Sequence, residues 1–395
     1  MSAAKLPIRL WQPNVMAELD KPLLLAVCAL TSIGALMVMS ASIGYSAYGY
    51  GDEFYFFKRH LVYLVISLGG ALAVLQLPLH FWYRYAGTLL IGTAVLLVVV
   101  LIPGIGHEVN GSRRWLRVGP LTLQVSELAK LAMILFVAAY LQRHQMQLRE
   151  RWQGFVNPLA VLAVFVVLLL LEPDFGSTMV IGGTVLGMLF LGGVRLWQFA
   201  ILMVLASAGV ATLIMASPYR FQRLITFLDP WADQFNTGYQ LTQSLIAFGR
   251  GEWFGVGLGN SVQKLFYLPE AHTDFVFAIF AEEFGLLGVI AVIGLLVLMV
   301  ARIFTIARRA ADRQIWFVAY AVFGFGIMMA GQAFINVGVT SGLLPTKGLT
   351  LPFVSYGGSS LLVCSLIAAL VLRAGMEVNR APQSTPSNWH SGHGG

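Results

Sequence analysis

The sequence predicts an all-α polytopic membrane protein with about ten transmembrane helices. Hydrophobic residues make up 58% of the 395 residues and charged residues only 11%, which is about half the charged fraction of an ordinary soluble domain. The apolar residues form runs of about 17–22 residues, the length that a helix needs to cross a hydrocarbon core of about 30 Å. Because lipid cannot hydrogen-bond to the backbone, these runs are expected to be helices.

The apolar runs place the predicted spans at 22–43, 60–77, 85–103, 125–142, 156–171, 177–192, 196–215, 275–301, 316–339 and 359–376. The long segment between the seventh and eighth spans, 216–273, has amphipathic pieces and is expected to lie on the membrane surface. Residues 1–378 are therefore expected to form one transmembrane domain. The tail 379–395 is rich in Ser, Pro, Gly and His and is expected to be disordered and cytoplasmic.

The basic residues of the loops predict the orientation. With a cytoplasmic N-terminus, most arginines and lysines of the short loops lie on the cytoplasmic side, as the positive-inside rule requires. Both termini are then cytoplasmic, and the long loop is on the outer, periplasmic side. The net charge of +7 is explained by these loops, so no nucleic-acid partner is expected. Cys28 and Cys364 fall within spans and are interpreted as packing residues.

Polar and ionisable residues form four clusters near the predicted outer ends of the spans, where buried charge is costly and typically functional. The first cluster contains Arg114, Trp115, Glu127 and Lys130. Glu127 and Lys130 are three residues apart and therefore share a helix face. They are either a structural pair that ties spans together or part of a site in which the lysine faces an anionic ligand.

The second cluster, Glu172-Pro173-Asp174, places two carboxylates at the turn between the fifth and sixth spans. They either bind a cation, pair with arginines or belong to an ordinary solvated turn. The third cluster surrounds His272 and Asp274 at the outer start of the eighth span. Asp274 either caps that helix or has a chemical role.

Glu282 and Glu283 follow Asp274 on the eighth span. They lie about 12 Å deeper along the same helix. The sequence therefore predicts an acidic pair inside the bilayer, an arrangement that is costly unless the two carboxylates are partnered.

The fourth cluster is the Gly- and Ser-rich turn before the tenth span, with Lys347, Ser355, Gly357, Gly358 and Ser359. It places a helix N-terminus, with its free backbone N–H groups, beside a lysine, an arrangement that favours a phosphate group. On the predicted topology all four clusters face the outer side. Cations and carboxylates together at a lipid interface are suited to a lipid-linked phosphate substrate.

Four motifs resemble those of the SEDS family of bacterial membrane proteins, and the last two favour its cell-division branch over its elongation branch: GSRRWL, EPDFGS, GVGLGNSVQKLFYLPEAHTDF and LPTKGLTLPFVSYGGSSL. The resemblance covers about residues 20–378. It implies a peptidoglycan glycosyltransferase that polymerises lipid II at the outer face of the plasma membrane, at the division septum. It also implies Asp274 as the essential carboxylate and Lys264 as a substrate-binding residue.

The same resemblance implies membrane-protein partners, namely a class B penicillin-binding protein of the FtsI transpeptidase type and other proteins of the divisome. For the transfer reaction, Asp274 would be the general base. The charge that develops on the pyrophosphate would be stabilised by lysine, arginine and N–H donors or by a divalent cation, Mg²⁺ or Mn²⁺. The sequence leaves the choice between these two open.

Two further functions are compatible with ten spans and buried charges. The first is a flippase for the same lipid, which needs a polar path through both leaflets. The second is a noncatalytic divisome scaffold that recruits a partner enzyme and does not depend on Asp274.

Overall fold

The computed structural model describes residues 18–381, apart from positions 110, 120, 151 and 347. Lys347 and most of the predicted tail therefore lie outside the described residues. The last helix continues to Arg380, so the first two residues of the predicted tail belong to that helix instead.

The helices of the described chain follow one another in a single polytopic array: α1 (Lys21–Tyr50), α2 (Tyr55–Gln76), α3 (Leu79–Leu101), α4 (Val125–Arg143), α5 (Gln145–Glu150), α6 (Trp152–Leu171), α7 (Phe175–Leu191), α8 (Leu196–Met215), α9 (Pro218–Leu228), α10 (Tyr239–Gly251), α11 (Val276–Asp312), α12 (Trp316–Thr340) and α13 (Gly358–Arg380). Among the described residues, nine helices are long and apolar enough to cross a membrane, and α7 is a shorter apolar helix. The predicted class, a polytopic helical membrane protein, is confirmed. The ten predicted spans correspond to these nine helices and α7.

The centre of the bundle is formed by α4, α12 and α13, which are buried over most of their length. α8 is peripheral, because Gln198 is its one buried residue. Glu18 pairs with Arg380 at 2.6 Å, so the two ends of the described chain lie at the same end of the bundle.

A three-stranded antiparallel sheet between α3 and α4 departs from the all-α prediction. Its strands are β1 (Gly106–Val109), β2 (Ser112–Val118) and β3 (Leu121–Gln124), in the order β1-β2-β3. Trp115 pairs with His107 on one side and with Gln124 on the other. These strands are short, and β2 contains three arginines, so they lack the apolar alternation by which a strand is recognised.

Two polar contacts between α1 and α11 show how far along α11 the acidic pair, Glu282 and Glu283, lies from the Glu18–Arg380 end. Asp20 binds Arg302 at 2.6 Å, near the Glu18–Arg380 end. Further along, Ser40 donates a hydrogen bond to Glu283 at 2.7 Å. Glu283 is 19 residues from Arg302 on α11, which corresponds to about 28 Å of helix. The acidic pair therefore lies about that far along α11 from the Glu18–Arg380 end, and its place inside the bilayer stays a prediction.

The segment after α10 packs into a break in α11. Gly285 has φ 65°, which interrupts the helix. Val256 donates its N–H to the Glu282 carbonyl at 2.9 Å, and Leu286 donates to the Glu252 carbonyl at 2.9 Å, so loop backbone satisfies groups that the break leaves without helical partners. Arg250 of α10 pairs with Glu282 at 3.2 Å, and Lys264 of the loop pairs with Glu283 at 2.7 Å, so both carboxylates have a cation.

Candidate functional site

A cavity of about 920 Å³ opens at the end of the bundle opposite the Glu18–Arg380 pair; this end is called the cavity face. Its walls come from the sheet, the α6–α7 turn, α9, the segment before α11 and the segment before α13. Eight of the predicted site residues line it, namely Arg114, Trp115, Glu127, Asp174, Asp274, Gly357, Gly358 and Ser359. The four clusters predicted from the sequence therefore all contribute to one site.

Four of the apolar helices of the described chain, α4, α7, α11 and α13, begin at this cavity. α4, α11 and α13 have Gln124, Phe275 and Gly357 as N-cap residues, and none of these side chains bonds to the helix end. Only α7 has a side-chain cap here, in which Asp174 accepts the Ser177 N–H at 3.1 Å. Uncapped N-termini present free N–H groups and the positive ends of helix dipoles, so the cavity is suited to an anion.

Asp274 lies just before α11, half-buried in the cavity wall. Because the N-cap residue of α11 is Phe275 and no side chain caps this helix, the interpretation of Asp274 as a helix cap is wrong. No described residue donates a hydrogen bond to its carboxylate. Gly348 packs so closely that a Cβ there would lie 2.9 Å from Asp274 Oδ2. Gly348 thus packs against a carboxylate that has no hydrogen-bond partner in the part of the chain that the structure describes.

The environment of Asp274 raises its pKa to about 7. Burial is the largest cause, and the negative charge of Glu270 adds to it. Arg114 and Arg223 oppose the rise and Asp174 adds a smaller contribution to it. A carboxylate with a pKa near neutrality is suited to accept a proton at physiological pH.

Two arginines of the described chain line the cavity. Arg114 Nε donates to the Glu172 carbonyl at 3.0 Å, and its Nη2 donates to the Pro173 carbonyl at 2.5 Å, so β2 fixes the α6–α7 turn. Arg223 Nη1 on α9 donates to the Thr346 carbonyl at 3.2 Å. Both guanidinium groups lower the pKa of Asp274, so their positive charges act on the carboxylate in the cavity wall.

Glu172 is fully buried and does not line the cavity. Neither of its carboxylate oxygens has a hydrogen-bond partner among the described residues. Burial, followed by the charge of Asp174, raises the pKa of Glu172 to about 8, so this carboxyl is mostly neutral at pH 7. Glu172 thus supports the wall behind Arg114, and its position does not fit the predicted substrate-binding role.

The donor set of the cavity also bears on the predicted divalent cation. The described residues contain no group of three or more His, Cys, Asp or Glu that could hold a metal ion. Asp174, one predicted ligand, already caps α7, and Gln124 Nε2 lies 3.4 Å from its second oxygen. The residues present therefore do not fit a metal held by the protein alone, and no chemical step is assigned to one.

Lys130 lies beneath the cavity rather than in its wall. It is 1% exposed, and its Nζ donates to Glu127 at 2.8 Å and to Gln332 Oε1 at 2.9 Å. The structural interpretation of the Glu127–Lys130 pair therefore fits, and the interpretation of Lys130 as a cation that faces a ligand does not. Glu127 does line the cavity, and Lys130 balances its charge from below.

Three other predicted residues have structural contacts instead of cavity positions. Lys264 binds Glu283 at 2.7 Å in the α11 break. The His272 ring is buried against aromatic side chains, and the Ser355 hydroxyl accepts the Leu351 N–H at 2.8 Å. The family resemblance suggested Lys264, and sequence proximity to Asp274 or to the glycine-rich turn suggested the other two, but none of the three lines the cavity.

Several residues of the cavity were not predicted. Some lie within the quoted motifs but were not chosen as site residues, namely Glu270, Thr350, Tyr356 and Ser360. The others lie outside those motifs, namely Tyr63, Gln124, Arg223 and Gln240. Arg223 is an example, because α9 is amphipathic but nothing in its sequence indicates which face meets the cavity. Burial raises the pKa of Tyr356 to about 12, so this phenol is a neutral hydrogen-bonding group.

Gly358 permits the close approach of α2 to the start of α13. A Cβ there would lie 2.3 Å from two ring atoms of Tyr63, whose hydroxyl is fixed by the Thr122 backbone at 2.8 and 2.9 Å. Gly358→Ala is therefore expected to destabilise the protein by about 1–3 kcal/mol, as overpacking typically does. Thermal unfolding in detergent checks this, with Gly69→Ala as the control because that position faces open space. Equal melting temperatures would contradict the packing described here.

The fold and the site together define a multi-pass membrane protein with one polar cavity at one face of the bundle. The family model FTSW_RODA_SPOVE, described as "Cell cycle protein", matches residues 21–380. The chain belongs to this FtsW/RodA/SpoVE family, which confirms the predicted SEDS relationship.

Relatives within the family point to its division branch. The chain is 54% identical over 366 residues to the probable peptidoglycan glycosyltransferase FtsW of Saccharophagus degradans, covering 93% of this chain and 95% of that protein. It is 53% identical over 354 residues to the protein of the same name from Legionella pneumophila, covering 90% of each.

Two solved structures have the same fold. One chain comes from a peptidoglycan synthase complex, described in a study of how polymerization and crosslinking are coordinated. It has a TM-score of 0.75 at 29% identity, covering 92% of this chain and 99% of that chain. The other is the rod shape determining protein RodA of Thermus thermophilus, with a TM-score of 0.69 at 28% identity, covering 93% of this chain and 100% of that chain.

Proposed function

We propose that this protein is a peptidoglycan glycosyltransferase of the FtsW type that polymerises lipid II in the cavity. The observation that carries the proposal is the Asp274 carboxylate, which has no hydrogen-bond partner among the described residues and faces a cavity with two arginines and the uncapped N-termini of α4, α11 and α13. A base beside a site for an anion is what transfer from a lipid pyrophosphate requires. The name of the FtsW relatives supports the same activity.

The reaction requires one proton acceptor. The 4-hydroxyl oxygen of the acceptor GlcNAc forms a bond to the anomeric carbon of the donor MurNAc, and Asp274 takes the hydroxyl proton. The bond between the anomeric carbon and the pyrophosphate oxygen breaks, and undecaprenyl pyrophosphate leaves with the electron pair. Attack opposite the leaving group converts an α-linked donor into a β-linked product.

The leaving pyrophosphate needs positive charge and N–H donors rather than an acid, because it is already a good leaving group. Arg114 and Arg223 place positively charged side chains in the cavity wall. The uncapped N-terminus of α13, with Gly357 to Ser360 in the wall, supplies backbone N–H groups. Donors that are fixed before the reaction stabilise developing charge without further reorganisation.

The closed floor of the cavity favours a transferase over a flippase. Below Glu127 and Lys130 the described helices are packed with apolar side chains, and Met133, Ile134 and Met328 are at most 2% exposed. A flippase needs a polar path through both halves of the membrane. The cavity instead presents its polar groups at one face.

We also propose that the cavity face is the outer, periplasmic face and that both termini are cytoplasmic, in agreement with the loop charges. The protein would act at the division septum with a class B penicillin-binding protein of the FtsI type and with other divisome membrane proteins. The structural similarity to a chain from a peptidoglycan synthase complex supports a partner of this class.

Polymerisation of purified lipid II tests the proposed function. The protein would be combined with a class B penicillin-binding protein that has no glycosyltransferase domain, and the products would be resolved by gel electrophoresis. A ladder of glycan strands is expected. No ladder, together with transbilayer movement of lipid II in vesicles, would instead support the flippase. Activity of the complex without any dependence on Asp274 would support the scaffold.

The rate of polymerisation is expected to depend on pH through Asp274. A base must be deprotonated, so with a pKa of about 7 the rate falls about tenfold for each pH unit below neutrality. Glu270→Gln removes a negative charge that raises this pKa, so the acid limb of the profile should move to lower pH. The control is Asp233→Asn, an exposed carboxylate that bonds to Thr237. An acid limb that does not move in Glu270→Gln would contradict the assignment.

A further inference from the structure

A polar stripe lies on the last turns of α12, next to the cavity. Gln332, Asn336 and Thr340 are spaced four residues apart, so they share one helix face, and each is at most 2% exposed. Buried polar groups of this kind are expensive unless they are bonded. Their partners therefore indicate what the stripe holds together.

Each residue of the stripe binds a different segment of the site. Gln332 Oε1 accepts from Lys130, and its Nε2 donates to the Thr350 carbonyl at 2.9 Å. The Thr340 carbonyl accepts from Ser244 of α10 at 2.6 Å. Between them, Asn336 is the residue that contacts the Asp274 segment directly.

Asn336 joins the two segments that meet at the Asp274 carboxylate. Its Nδ2 donates to the Asp274 carbonyl at 2.9 Å and to the Leu349 carbonyl at 2.6 Å. The residue before Leu349 is Gly348, which packs against Asp274 Oδ2. One amide group thus sets the separation between the backbone that carries the carboxylate and the backbone that faces it.

The orientation of this amide is determined by its partners. The Asp274 and Leu349 carbonyl oxygens are both acceptors, so they must face the NH₂ group of Asn336. If the amide were flipped, its own oxygen would face these two oxygens and no hydrogen bond could form. As a result Asn336 Oδ1 is buried without a hydrogen-bond partner among the described residues. The unpaired oxygen is a cost to stability, so packing alone would not favour an amide here. What the two backbone segments require is one nitrogen that donates two hydrogen bonds.

We propose that Asn336 is a positioning residue that holds the Asp274 segment against the 348–350 segment and thereby sets the place of the general base. This inference rests on the proposed glycosyltransferase function. Asn336 does not line the cavity and would not touch the substrate. Its effect is on the geometry of the transfer step, where a displacement of about 1 Å can cost about 100-fold in rate.

The test compares kcat and KM for lipid II in the complex with a class B penicillin-binding protein. Asn336→Ala removes both donors. Asn336→Asp keeps the volume and, when protonated, one donor, so it preserves the packing if the alanine variant does not fold. Both are expected to lower kcat per folded protein by about 10- to 100-fold, with the smaller loss in Asn336→Asp and with KM within about threefold of the wild type.

The matched control is Gln198→Ala, which removes a buried amide of α8 whose Oε1 is also unpaired among the described residues and which lies outside the cavity wall. It should retain wild-type kcat per folded protein. A folded Asn336→Asp protein with wild-type kcat, or a KM rise that accounts for the loss, would overturn the inference. Absence of glycan strands from the wild type would contradict the proposed function itself and the inference with it.

Discussion

Asp274→Asn is expected to abolish detectable polymerisation of lipid II while leaving the protein folded and bound to its class B partner. The change keeps the size of the side chain and removes its ability to accept a proton. General-base catalysis typically contributes about 10²- to 10⁴-fold, so the rate should fall by at least that range. Because the carboxylate has no hydrogen-bond partner among the described residues and does not cap α11, little stability should be lost.

Asp52→Asn is the matched control for this prediction. Asp52 is a carboxylate of the α1–α2 connection, and its charge is paired with Lys58 at 2.8 Å. Glycan strands and partner binding should be unchanged in this variant. Strands of normal length and yield from Asp274→Asn would remove Asp274 from the centre of the mechanism, and loss of the folded protein would return it to a structural role.

Lys130→Ala is expected to cause the second large effect, on stability. The change leaves Glu127 buried without its cation and Gln332 Oε1 without its donor. Removal of one partner from a buried ion pair typically costs about 3–5 kcal/mol. The midpoint of thermal unfolding in detergent should therefore fall well below that of the wild type.

The double variant Glu127→Gln/Lys130→Met separates this explanation from a substrate-binding role for Lys130. Replacing both charges removes the uncompensated carboxylate, so most of the lost stability should return. A Lys130→Ala protein that melts like the wild type but binds lipid II weakly would instead support the original interpretation of Lys130 as a ligand-facing cation.

The sequence predicted the elements whose signal is local. Each long apolar run became a helix because lipid permits little else, and the convergence of the four polar clusters followed from the alternation of the spans. Asp274, Arg114 and the start of α13 were found in this way. Charge and hydropathy along the chain were sufficient to predict that the helix ends with the four polar clusters lie on the same side of the bundle.

The remaining features depend on contacts between distant segments. The strands beside Trp115 are stabilised by pairing with each other, and Glu283 accepts a hydrogen bond from Ser40 of α1. From the sequence, Lys130 and Lys264 could each face a ligand or pair with an acidic side chain. In the folded protein both form ion pairs with buried glutamates. Arg223 was missed because the amphipathic pattern of α9 shows that the helix has a polar face but not which part of the protein that face contacts.

The most direct test of the central claim is photo-crosslinking of a lipid II analogue that carries a photoreactive group beside its pyrophosphate. After irradiation of the complex in nanodiscs, labelled peptides would be identified by mass spectrometry with and without excess unlabelled lipid II. Labels that excess lipid II removes are expected in the segments whose described residues line the cavity, 112–124, 173–177, 217–240, 269–275 and 346–360. Labels confined to other parts of the helices, or labels that excess lipid II does not reduce, would contradict the assignment of this cavity as the transferase site.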